Sequence, residues 1–131
     1  MSQASGSMRT PIGRVRGLGA AHSGTKDFFR QRLTALAMLL LFIPALVVVM
    51  MLLGRNHAAA VQILGSPLVA VIMILFIIAS TWHMKLGMQV VIEDYVHDEK
   101  LKLAAIIANT FFSVAVGLAS IYAIIKISSG V

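Results

Sequence analysis

The sequence predicts an all-α integral membrane protein of three transmembrane helices, with its N-terminus in the cytoplasm and its C-terminus outside. Three observations carry this reading. Of the 131 residues, 59% are hydrophobic and 12% are charged, with a mean hydropathy of +0.91, whereas soluble chains carry about 25% charged residues. The apolar residues gather into three runs, each near the ~20 residues that cross a hydrocarbon core. Finally, the Lys and Arg residues are shared unequally between the two sides of those runs, and that asymmetry sets orientation.

In chain order, residues 1–24 form a polar, basic tail rich in Ser, Gly, Ala and Arg, expected to be irregular until it meets a partner. Residues 25–131 form the membrane domain. Thr25–Arg32 reads as an amphipathic lead-in, with Phe28 and Phe29 at the interface and basic side chains toward headgroups. The first span covers about 33–53, without an internal charge, and Pro44 is expected to kink it. Gly54–Ser66 reads as a loop that opens with the turn residues Gly54-Arg55-Asn56-His57. The second span covers about 67–87, and Pro67 suits a helix start. The third covers about 103–125. Its small residues Ala104, Ala105, Ala108, Ala115, Gly117 and Ala119 suit close helix packing, although no Gly-x-x-x-Gly occurs. In lipid the backbone must satisfy its own hydrogen bonds, so each span is a helix.

Orientation follows from counting. Arg9, Arg14, Arg16, Lys26, Arg30 and Arg32 precede the first span, and Lys85, Lys100 and Lys102 flank the second connection. Arg55 and Lys126 are the only cations on the other side. The net charge of +6 therefore reads as topology and does not argue for a nucleic-acid partner. The first span is also too long for a secretory h-region, and Arg14 and Arg16 are separated by Val15, so there is no twin-arginine pair. Zero cysteines exclude disulfides, thiolate metal sites and a Cys nucleophile. An iron–sulfur cluster with its usual thiolate ligands would have to sit on another subunit.

The chemistry-bearing residues concentrate in Trp82–His97. His83 ends an apolar run, Gly87 follows four residues on, and Asp94-Tyr95 lie eleven and twelve residues on. At about 100° per residue, eleven steps return to within about 20° of the starting azimuth, so one helix would place His83, Gly87 and Asp94 on a face spanning about 16 Å. Taken alone, His83 could bond a neighbouring helix, and Tyr95 could be an interfacial tyrosine beside a solvated acid. Lys85 could simply snorkel. His97-Asp98-Glu99 reads as a solvated loop, and no phosphate loop, hydrolase triad or zinc spacing is present.

This pattern, with Gly-Met-Gln-Val-Val-Ile-Glu-Asp-Tyr-Val-His at 87–97, resembles the second transmembrane helix of the small membrane-anchor subunit of succinate dehydrogenase (respiratory complex II). The resemblance extends to the basic tail and the three spans. It implies that His83 is an axial ligand of heme b shared with a cytochrome b subunit, which supplies the second histidine. It implies that Tyr95 and Asp94 contribute to a ubiquinone site, and it makes Lys85 a candidate partner for a heme propionate. Its implied partners are the flavoprotein, iron–sulfur and cytochrome b subunits, ubiquinone and membrane lipids. The chain would be non-catalytic by itself and would lie in a bacterial inner membrane, or in the mitochondrial inner membrane if organellar. Two rivals stand beside it. One is an anchor of the related fumarate reductase, oxidising quinol; the other is a small non-redox membrane protein, for which a transporter would show broken helices or several intramembrane charges.

Overall fold

The computed structural model describes residues 22–130, with side chains from Gly24 onward. The basic residues Arg9, Arg14 and Arg16 and most of the 1–24 tail lie outside the described residues. Four helices follow one another: α1 (His22–Leu52), α2 (His57–Gly65), α3 (Pro67–Tyr95) and α4 (Glu99–Ser129). Three of them are long and apolar enough to cross a membrane. At 1.5 Å per residue, α1, α3 and α4 are each about 43–46 Å long, well beyond the ~30 Å hydrocarbon core, so their ends reach the headgroup regions.

The short connections force an up–down–up arrangement. The left-handed Gly54 (φ 70°) closes the turn after α1, and Asn56 caps α2 by accepting a 2.9 Å bond from the Ala59 N–H. Pro67 occupies the first turn of α3, where no backbone donor is missed. Asp98 caps α4 by accepting from the Leu101 N–H at 2.8 Å, and Gly130 (φ 71°) ends it in the left-handed region.

Several expectations are corrected. Gly54–Ser66 is not a plain loop, because α2 fills most of it and packs on α3 and α4. Its Asn cap and its Ala-Ala-Ala-Val start favour helix, while nine residues are too few to register as a span. The lead-in Thr25–Arg32 is the first part of α1 itself. There Arg32 lies 5.0 Å from the centroid of the Phe28 ring, and Arg30 pairs with Asp27 at 3.6 Å. The charged stretch after residue 87 also stays helical as far as Tyr95. Hydropathy marks where the hydrocarbon ends, but the i to i−4 ladder needs no hydrocarbon to continue. The helix likewise runs on through Pro44, which removes one donor from the ladder without ending the element.

α3 is the central helix: α1 and α4 both pack against it, and among the described residues the backbones of α1 and α4 stay apart. The α3–α4 seam is a line of small and polar residues. Ser113 and Gly117 are buried there on α4, with Thr81 of α3 opposite Gly117. A Cβ on Gly117 would sit 3.3 Å from Thr81 Oγ1, so the glycine sets how closely the helices approach. Of the alanines expected at this interface, Ala104, Ala108, Ala115 and Ala119 are exposed and Ala105 is half-buried. The seam follows the four-residue spacing Asn109, Ser113, Gly117, not the tally of small residues. Leu39, Leu40, Ile43 and Leu118 are among the many large apolar side chains that face outward. Between helices in lipid, burial of apolar surface gives little drive, so close fit and hydrogen bonds must hold the bundle.

Candidate functional site

The α3 backbone places His83, Gly87 and Asp94 along one face, as the spacing requires. His83 is half-buried against α1. Its Nδ1 lies 3.1 Å from Thr34 Oγ1, and that hydroxyl donates its single proton to the Gln31 carbonyl at 3.1 Å. In the arrangement where that proton goes to Gln31, the Thr34 oxygen accepts from Nδ1–H of the imidazole, which leaves a lone pair on Nε2, the form in which histidine binds a metal.

His83 borders an apolar groove of about 250 Å³ together with Ala35, Met38, Leu39 and Phe42 of α1. One turn further along α3, a Cβ added at Gly87 would meet nothing within 4 Å. Contacts inside this chain therefore do not explain the missing side chain, and the face beside His83 is flat and open to an outside body. Among the described residues no group of three His, Asp or Glu is gathered to hold a metal ion. A lone imidazole on an open apolar face is a single nitrogen donor, able to add one ligand to a metal whose other ligands come from outside this chain.

Asp94 and Tyr95 end α3, and both are exposed, Tyr95 to 78%. They lie about 16 and 18 Å along the helix from His83, and as neighbours they diverge by about 100°. The structure thus brings His83 to Thr34 but not to Asp94 or Tyr95. The chain turns immediately beyond Tyr95, where His97 Nδ1 lies 3.1 Å from the Tyr95 carbonyl oxygen.

Lys85 lies on another side of α3. Its carbonyl accepts a 2.9 Å bond from the Asn109 amide of α4. Its side chain lines a separate cavity of about 440 Å³ between α1 and α4, along with Arg30, Thr81 and Ser113. Two contributors escaped the sequence reading. Thr34 is a hydroxyl just inside an otherwise apolar span, and Ser113-x-x-x-Gly117 is a small-x-x-x-small pair.

The sequence pattern described as succinate dehydrogenase/fumarate reductase transmembrane subunit matches residues 6–117. The chain belongs to this family. It is 32% identical over 121 residues to the succinate dehydrogenase hydrophobic membrane anchor subunit of Paracoccus denitrificans, covering 92% of this chain and 93% of that protein. The subunit of the same description from Rickettsia bellii is also 32% identical, over 116 residues, covering 88% and 93% of the two chains. No solved structure matches. Family membership and three apolar helices together make this an integral membrane subunit.

Proposed function

We propose that this chain anchors the flavoprotein and iron–sulfur subunits of a succinate dehydrogenase to a bacterial inner membrane. In this reading it ligates heme b through His83 and helps to form a ubiquinone-reduction site with Tyr95 and Asp94. The observation that carries it is the Thr34–His83 bond at 3.1 Å, which engages the ring through Nδ1 and leaves Nε2 free of that contact, beside an apolar groove and the open face of Gly87. A b-type heme bound there supplies a one-electron centre inside the membrane. In this chain His83 would hold the iron, Thr34 would fix the ring plane, and Gly87 would leave room for the macrocycle. A second histidine ligand would come from the partner cytochrome b subunit. A propionate role for Lys85 would require its side chain to reach back around α3.

Quinone reduction needs donors where negative charge develops and a path for protons. Tyr95, at the headgroup end of α3, offers a phenol O–H to a quinone carbonyl, and Asp94 links the same spot to water. The relatives named as succinate dehydrogenase subunits favour succinate as the electron source over the fumarate reductase direction.

Replacing His83 with Leu tests the heme reading. The complex should assemble without its low-spin b-type absorption, and an unchanged spectrum would remove His83 as ligand. The cation asymmetry supports a cytoplasmic side for Tyr95 and the start of α1. A reporter fused beyond the end of α4 should be active on the outer face, and one fused at Met1 on the cytoplasmic face.

A further inference from the structure

We propose that the cleft between α1 and α4 is a binding site for one diacyl glycerophospholipid with an anionic headgroup. α3 forms its floor, and among the described residues the backbones of its two walls stay apart. The α3 residues that line it, Ile78, Thr81, Trp82, Lys85, Leu86 and Gln89, centre about 130° around the helix from His83. The cleft is therefore separate from the face assigned to the heme.

Its lining changes in three steps along its length. At the headgroup end stand Arg30 and Lys85, with Asp27 and Gln89 beside them. Asp27 offsets Arg30 at 3.6 Å and Lys85 makes no ion pair among the described residues, so the lining residues themselves carry one net positive charge, with the Glu93 carboxylate held against Gln89 at 2.8 Å just outside the lining. Next comes Ser113, 3% exposed, whose hydroxyl has no hydrogen-bond partner among the described residues. Ser80, Thr81 and Thr110 all turn their hydroxyls back to the carbonyl four residues earlier. Ser113 does not, and it lines the cavity. Deeper still the walls are Ile78, Val114, Leu118 and Ile121.

A phospholipid offers the same order: phosphate, then ester carbonyls that accept hydrogen bonds, then acyl chain. An uncharged quinone head would leave Lys85 without a counter-charge. The cleft follows α3 for the eleven steps from Ile78 to Gln89, about 16 Å, so an extended acyl chain can lie along it.

The test uses the intact complex reconstituted in phosphatidylcholine vesicles doped with phosphatidylglycerol that carries a diazirine in one acyl chain. After photolysis, peptide mass spectrometry should find the label on Val114, Leu118, Ile121 or Ile78. Lys85→Gln should reduce that labelling about fivefold, the equivalent of the ~1 kcal/mol that one basic residue contributes at an anionic surface. A diazirine phosphatidylcholine should label the cleft less than the phosphatidylglycerol by a similar factor. Ser113→Leu should abolish the label by filling the slot. If that variant does not assemble, Lys85→Gln and the two-lipid comparison still decide. Three results would overturn the proposal: no label in the cleft, equal labelling by both lipids, or labelling of these residues by a photoreactive quinone. A Lys85→Gln complex with altered heme absorption and unchanged lipid labelling would assign Lys85 to the heme instead and overturn it as well.

Discussion

Two sides of α3 treat polar groups in opposite ways. Toward α4, Thr81 stands so near Gly117 that an added Cβ would sit 3.3 Å from its hydroxyl, and the Lys85 carbonyl accepts a hydrogen bond from the Asn109 amide, so these polar atoms hold helices together. On the other side His83 is fixed by Thr34 through one nitrogen, Gly87 faces open space, and Tyr95 is exposed. The helix contact on the first side is made within this chain, the Ser113 hydroxyl excepted; in the proposed function the second side is oriented by the chain and finished by something outside it. In a bundle with few buried side chains, an unspent polar group on a positioned helix face is the better guide to function than burial is.

That contrast can be broken by substitution. The largest effect is expected at Tyr95, where Phe keeps the ring and deletes the donor. Succinate–ubiquinone activity should fall by about 10²–10³, as for loss of one preorganised donor to a developing oxyanion. Succinate oxidation with an artificial dye acceptor should stay near normal. Equal loss with both acceptors would mean that the outward side also serves assembly, and full quinone activity would remove Tyr95 from the site.

Thr34→Val comes next, since it keeps the shape and removes the acceptor for Nδ1–H. Losing such an outer partner typically costs about 10–100-fold in metal-site affinity. Heme content and midpoint potential should therefore shift while the helices still assemble, and Thr34→Ser should restore both. Wild-type heme binding and potential in Thr34→Val would show that the hydroxyl does not set the tautomer.

The smallest effects compare two glycines. Gly117→Val pushes into Thr81 and should destabilise the assembled complex by about 1–3 kcal/mol in a denaturation series. Gly87→Ala meets nothing in its own chain and should gain up to about 1 kcal/mol of helix propensity, yet lower heme content. Similar stability losses at both sites would erase the distinction between the two sides of α3.

The sequence by itself determined the class and the direction of the argument. Apolar runs of membrane length allow only helices, because lipid offers backbone groups no other partner. The eleven-residue step from His83 to Asp94 places them on one face of any continuous helix. The family was legible in the Gly87–His97 wording, which the match over residues 6–117 bears out. Hydropathy could not find α2, because a nine-residue helix is too short to register as a span. Nor could it find the true ends of α3 and α4, because helices continue past the hydrocarbon. Only the tertiary structure decided that Thr34, 49 positions away from His83 in sequence, fixes its ring. It also decided that Ser113 and Gly117 form the α4 seam while four of the six small residues named there face outward. Periodicity fixes which residues share a face, but helix rotation and pairing depend on steric fit between helices, which no single span contains.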